Sequence, residues 1–283
     1  MVSPYLLPDG NVQIAFSGGR TSAYLLHQIL EANGGIPEDR CVVSFQNTGR
    51  EMPETLDFVA EVGRRWGVSI TWLEYLPTAP GFIETGYQGA SRNGEPFEAL
   101  IRKRKFLPNV MSRFCTTELK VRTAKRYLMS LGWERWTNIT GIRADEAARV
   151  QRGINGAKKE RYEVAFPLYH AGVTKHDIAA FWRAQDFDLN LPNVKGNCWL
   201  GNCDGCFLKS EANVAAFTRE YPERAAWWEE MEELAGDLTS GTAAHWSKRY
   251  TRREMREFMA AQGDMALSTE GLLCQADDGE CFG

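Results

Sequence analysis

The chain has 283 residues, 43% of them hydrophobic and 25% charged, with a formal net charge of -4. This is ordinary globular composition, and it excludes a collagen-like, low-complexity or charge-driven disordered chain. No apolar run approaches the roughly 18 residues that span a bilayer, and Met1 to Gly10, with Pro4, Pro8 and Asp9, lacks the pattern of an export signal. A cytoplasmic protein with no membrane partner is expected.

The elements can be predicted in chain order. Val12 to Phe16 reads as a short strand, and from Ser22 onward Leu25, Leu26, Ile29 and Leu30 share a helical face that Gly34 and Gly35 stop. "CVVSFQNTG" is a second strand and "PETLDFVAEVGRRWG" a second helix, with Pro53 in its first turn and Gly67 at its end. "VSITWLEYL" is a third strand, "TTELKVRTAKRYLMSLG" a third helix capped by Thr116, and "WTNITGIR" a fourth strand. This alternation predicts an α/β fold, a doubly wound, Rossmann-like parallel sheet with helices on both faces, over residues 1–165. Capping-box pairs at Thr174 and Asp177 and at Thr251 and Glu254, with the acidic stretch "PERAAWWEEMEELAGD" between them, predict a mainly helical C-terminal lobe over 166–283.

At the first strand–helix junction stands "SGGRTS", Ser17 to Ser22. In an open α/β sheet, ligands sit beyond the carboxyl ends of the strands, where a helix N-terminus offers free N–H groups to an anion. Gly18 and Gly19 permit a tight turn and close approach of a phosphate. Ser17, Thr21 and Ser22 add hydroxyl donors, and Arg20 adds a charged fork. The spacing is not that of a Walker loop.

Seven cysteines occur, and Cys198, Cys203 and Cys206 form C-x4-C-x2-C with Gly201 and Gly205 inside it. Without an export signal such a group suits a metal centre better than a disulfide framework. Residue types alone leave open an iron–sulfur cluster, a structural zinc or buried free thiols. Cys41, at the start of a buried strand, and Cys274 are expected to be structural.

Five segments resemble one known family. "SGGRTS" is similar to the S-G-G-x-[DT]-S loop of the PP-loop ATP pyrophosphatase superfamily, and "NTGREMPET" to the D-T-G-x-x-x-P-E-T element of the phosphoadenylyl-sulfate (PAPS) reductase family within it. "CTTELK", "GIRADEAAR" and "GNCDGCF" resemble that family's Cys-x-x-x-x-Lys, G-x-R-x-x-[EQ]-[SA] and G-x-x-C-x-x-C segments, in family order. Asn47 stands where the family pattern has Asp, and Arg20 where many relatives have Lys. The resemblance implies an adenine nucleotide α-hydrolase-like fold. It implies ATP held by Ser17, Gly18, Gly19, Arg20, Thr21, Ser22, Asn47, Thr48, Gly49, Gly141 and Arg143, with Arg20, Lys120 and Arg143 acting in the chemistry. It also implies a 4Fe–4S cluster, with zinc as runner-up, on Cys115, Cys198, Cys203 and Cys206. Glu280-Cys281 echoes the nucleophilic tail of sulfonucleotide reductases.

Residues 102 to 126 carry nine Lys and Arg against one acid, Glu118. A one-signed excess beside the expected site suits an anionic substrate, either a nucleotide or a nucleic acid. Asp145 or Glu146 is expected to help hold Mg²⁺ on the phosphates, and Arg149 and Arg152 to extend a positive rim. Trp182, Trp199, Phe207, Trp227 and Trp228 are expected in packing. Three functions follow as expectations: an ATP-cleaving, adenylating sulfur-transfer enzyme served by a sulfur donor; a reductase of adenylyl sulfate or PAPS served by an electron donor, with Cys281 attacking sulfur; or a non-catalytic nucleotide- or nucleic-acid-binding protein.

Overall fold

The β-branched and aromatic runs become the strands of one sheet. In the computed structural model, which describes residues 3–194, 197–239 and 245–262, the central strand β1 (Val12–Ala15) pairs in parallel with β2 (Cys41–Asn47) on one side and β5 (Trp136–Thr140) on the other. β3 (Ile70–Tyr75) and β6 (Tyr162–Ala165) extend the sheet in parallel, and β4 (Phe82–Thr85) closes one edge antiparallel, giving the order β4-β3-β2-β1-β5-β6. Ala15 is level with both Ser44 and Thr140, so the carboxyl ends of β1, β2 and β5 form one edge. The strand order reverses at β1, between the connections to β2 and those to β5. A switch point of that kind leaves a crevice outside the sheet.

Helix α1 (Arg20–Asn33) joins β1 to β2, and α2 (Pro53–Trp66) joins β2 to β3. Pro53 lies in the first turn of α2, and Gly34 and Gly67 end the two helices in the left-handed conformation, as the spacing predicts. Among the elements outside the sequence expectation are β4, β6 and helix α3 (Glu95–Arg104), which buries Phe97, Leu100 and Ile101.

The third expected helix begins differently. Cys115 is already helical (φ -57°, ψ -49°), so Thr116 is not its cap. Residues Thr116–Arg122 form a π-helix before α4 (Thr123–Ser130) continues as an ordinary one. Glu118, buried in that wide turn, takes Arg104, Arg122 and Arg126, and Thr123 Oγ1 donates to the Glu118 carbonyl at 2.8 Å. A β-branched hydroxyl bonding back to the main chain and a three-arginine hub both favour the widened turn.

After β5, a 3₁₀ turn (Ala144–Glu146) leads into α5 (Ala147–Ala157) and β6. There follow α6 (Pro167–His170), α7 (Lys175–Arg183), a short antiparallel pair β7 (Asn193–Val194) and β8 (Asn197–Cys198), and helices α8 (Glu211–Glu220), α9 (Pro222–Leu238) and α10 (Arg252–Gln262). Both expected capping boxes form: Thr174 with Asp177, and Thr251 with Glu254. The main apolar cluster combines Phe16, Phe45 and Leu26 with Trp182, Phe217 and Trp228. Trp228, 1% exposed, meets Phe97, Trp227 and Trp246 edge-on at centroid distances of 5.9, 5.1 and 4.8 Å. Among the described residues no helix is long and apolar enough to cross a membrane.

Candidate functional site

The turn from β1 into α1 is shaped by Gly18, whose φ is +76°. A Cβ there would lie 2.8 Å from Thr55 Cγ2 and 3.1 Å from Phe45, so glycine is required twice over, by conformation and by space. The loop is tied to itself: Ser17 N donates to Ser22 Oγ at 3.2 Å, the two serine hydroxyls are 3.0 Å apart, and Ser22 Oγ donates to the Gly19 carbonyl at 2.9 Å. Gly141, beyond β5, packs so close that a Cβ would be 3.4 Å from Ser22 Cα. Arg143, 4% exposed, reaches the loop with Nη1 3.4 Å from Thr21 Oγ1. The structure thus joins the two segments at the switch point, which can present N–H groups, hydroxyls and a guanidinium to a phosphate.

The charges around the loop are arranged otherwise than expected. Arg20 is paired with Asp188, Nε to Oδ1 at 2.7 Å, and its carbonyl accepts from Trp182 Nε1 at 2.9 Å. Asp145 takes Arg143 Nε at 2.9 Å, and Glu146 caps the Arg143 N–H at 3.0 Å while pairing with Arg149. The two carboxylates expected to help hold Mg²⁺ are therefore both engaged with arginines, and Arg149, 3% exposed, is interior rather than part of a rim. Lys120 is buried in the π-helix beside Gln13 and Gln46.

Asn47, fully buried, donates to Glu74 Oε1 at 2.6 Å and to the Ser91 carbonyl at 2.8 Å, while its oxygen accepts from Gly49 N at 3.1 Å. Its amide fastens the end of β2 to the neighbouring loop. Gly49 has φ +79°, and a Cβ there would strike the Gly94 backbone at 2.9 Å. Thr48 accompanies Glu51, and its Oγ1 is 3.5 Å from Cys203 Sγ. The cysteine turn docks here: Glu51 and Cys203 form an antiparallel bridge, and Asp204 N donates to the Arg50 carbonyl at 2.9 Å.

Asp204 organises this junction and escaped the sequence reading. Wholly buried between Cys203 and Cys206, it accepts from Arg50 Nη2 at 2.7 Å, Arg224 Nε at 2.6 Å, Trp228 Nε1 at 2.8 Å and Gly205 N at 2.7 Å. Arg224 also donates to the Glu51 carbonyl at 2.9 Å. Burial pulls the Arg50 guanidinium below its ordinary value, and Asp204 opposes that pull. The only sequence signal was a charged residue inside C-x2-C.

The thiols are buried by degrees. Cys206 is 8% exposed; Cys115, Cys198 and Cys203 are partly exposed and pack on the main apolar cluster. Burial pushes the Cys198 thiol up, against the charges of Lys209 and Arg20. Burial takes Cys41 up to about 12, which suits its structural place. Cys203 is turned to Thr48, and among the described residues no three His, Cys, Asp or Glu side chains are arranged to hold a metal ion. The expected four-thiolate set, Cys115 with Cys198, Cys203 and Cys206, is therefore not assembled in this structure. Cys274 and Cys281 lie outside the described residues.

The fold and the loop define an α/β protein with a glycine-rich loop at the sheet's switch point. Residues 11–191 match the family described as the phosphoadenosine phosphosulfate reductase domain, and the chain belongs to that family. It is 29% identical over 255 residues to the uncharacterized nin region protein ORF290 of Escherichia phage lambda, covering 86% of this chain and 79% of that protein. Among solved structures it is similar to the PAPS reductase of Candida auris in its phosphate complex, with 18% identity, TM-score 0.41, and coverage of 65% of this chain and 80% of that one. It is also similar to the U34-tRNA thiolase NcsA of Methanococcus maripaludis with its [4Fe-4S] cluster, with 14% identity, TM-score 0.42, and coverage of 93% and 75%.

Proposed function

We propose that this chain is a PP-loop enzyme that binds ATP, adenylates a substrate oxygen and supports sulfur transfer to the activated carbon. Residues 1–165 serve as the nucleotide-binding unit, and 166–283 as the helical lobe that brings the cysteines to it. The observation that carries the reading is the meeting of Ser17–Ser22 with Gly141 and Arg143 at the switch point. In the step itself, a substrate oxygen forms a bond to the α-phosphorus. The bond from that phosphorus to the bridging oxygen breaks, and pyrophosphate leaves with the electron pair. A magnesium ion carried in with the nucleotide would neutralise phosphate charge, and no step here depends on it. Donors fixed by the fold around the leaving group are the chain's own contribution. A sulfide donor then adds to the carbon, the bond from that carbon to the substrate oxygen breaks, and AMP departs with that oxygen and the electron pair. The four thiols do not converge in this structure, and no step here runs through a cluster.

The test is ATP-dependent pyrophosphate release. Ser17→Ala is expected to lower it about tenfold, the worth of one hydrogen bond to a charged group. Equal release by this variant and the parent would refute the assignment. The family match favours a second reading, reduction of adenylyl sulfate or PAPS with Cys281 as nucleophile. Sulfite production abolished in Cys281→Ser would establish it in place of the first.

A further inference from the structure

The basic stretch 102–126 is mostly spent inside the protein. Arg104, Arg122 and Arg126 converge on Glu118; Arg102 pairs with Glu98, and Lys125 with Glu160. The phosphate loop carries a cation of its own, Arg20. It too is paired, but in a way that can be undone.

Arg20 is the first residue of α1, whose first turn holds no acid. An acid is brought to it from 168 positions away: Asp188 Oδ1 accepts from Arg20 Nε at 2.7 Å, and Oδ2 accepts from Nη2. Two parallel bonds on one edge are the fork by which a guanidinium also takes a phosphate, and a lysine could not make it. Asp188 is set in place from behind, since its Oδ1 also accepts from the N–H of the buried Leu189 at 2.7 Å. Trp182, 3% exposed, donates to the Arg20 carbonyl at 2.9 Å. The end of α7 and the loop after it therefore hold Arg20 by main chain and side chain at once.

The other carboxylate that grips an arginine beside the candidate site is sealed. The Asp204 and Arg50 side chains are 0% and 3% exposed, and Asp204 accepts from four donors. For Asp188 and Arg20 the exposures are 30% and 25%. Breaking a sealed pair strands a buried charge, whereas a partly exposed pair opens to water with little loss. The weaker of the two pairs stands on the phosphate loop.

We infer that Asp188 is a positioning residue acting through Arg20, an internal competitor for the ligand's phosphates. It holds the guanidinium while the loop is empty, yields it to an arriving polyphosphate, and takes it back as pyrophosphate leaves. A phosphate on the same guanidinium meets the like charge of Asp188 whichever edge it takes. Asp188 thus weakens ATP and pyrophosphate together and speeds the departure of the product. The inference rests on the reading that Ser17–Ser22 hold phosphates, and its mention of pyrophosphate rests on the adenylating reading.

Calorimetric titration of the full-length protein tests this with inorganic pyrophosphate, a non-hydrolysable ATP analogue and adenylyl sulfate as separate titrants. Asp188→Asn keeps an oxygen for the Leu189 N–H but removes the charge. It is expected to tighten pyrophosphate and the analogue about fivefold. In turnover it should lower KM for ATP and make pyrophosphate a stronger inhibitor. When Arg20→Ala is already present, the same change at Asp188 should move affinity by about twofold at most, because the partner through which it acts is gone. Unchanged or weaker binding in Asp188→Asn overturns the inference and leaves the adenylating reading standing if the parent binds the analogue. Equal tightening with and without Arg20 also overturns it. If only adenylyl sulfate binds, and Asp188→Asn tightens it, the adenylating reading fails and the role of Asp188 stands. Binding of none of the three, by parent or variant, overturns both.

Discussion

At Gly18 a single hydrogen atom decides whether the phosphate loop can exist. Its left-handed φ of +76° and the 2.8 Å approach to Thr55 leave no place for a methyl group. Gly18→Ala is expected to destabilise the fold by about 2 kcal/mol and to weaken ATP binding, read by denaturant unfolding and by calorimetry. This residue was legible because its chemistry is contiguous: strand, glycines and hydroxyls fall within ten positions. Asp204 was not, because its partner Arg50 lies 154 residues away and no local pattern announces the pair. Asp204→Asn removes the charge that Arg50 and Arg224 share and is expected to cost about 3 kcal/mol. It is also expected to speed alkylation of Cys203 in the native protein; unchanged alkylation would mean that Asp204 does not hold the cysteine turn.

Among the elements, the π-helix is the departure with most consequence. Burial pushes the Glu118 carboxyl up, but Arg104, Arg122 and Arg126 outweigh it and hold it below its ordinary value of 4.5. Stability from this hub is therefore present above that value and lost as pH falls through the lower, folded one. Glu118→Gln is expected to lose about 2 kcal/mol at neutral pH and to lose less as the medium is acidified, checked by melting the two proteins from neutral to acid pH. Capping boxes were legible because both partners lie within one turn. The π-turn was not, since its cause is a buried carboxylate gathering arginines from α3 and α4. Helix α3 was hidden by its own charges: Phe97, Leu100 and Ile101 have helical spacing, but Arg102 to Lys105 read as the start of a basic run. Strands β4 and β6, four residues each on the sheet's edges, are too short to carry a period.

Across the whole molecule, the doubly wound sheet was readable from alternation alone, whereas the way the later helices close over it was not. Trp182 and Phe187 pack against Phe58 and Trp66, so α7 and the loop after it rest on α2. Asp188, just beyond, takes Arg20. These contacts join residues more than a hundred positions apart, and only packing reveals them. One of them supplies the protein with its own optical reporter. The Trp182 indole donates its N–H to the backbone at the mouth of the phosphate loop, so any shift of Arg20 from Asp188 toward an arriving polyphosphate changes the surroundings of that ring. Ultraviolet emission should therefore shift on ATP addition, and Trp182→Phe should erase the shift even though eight other tryptophans of the nine remain.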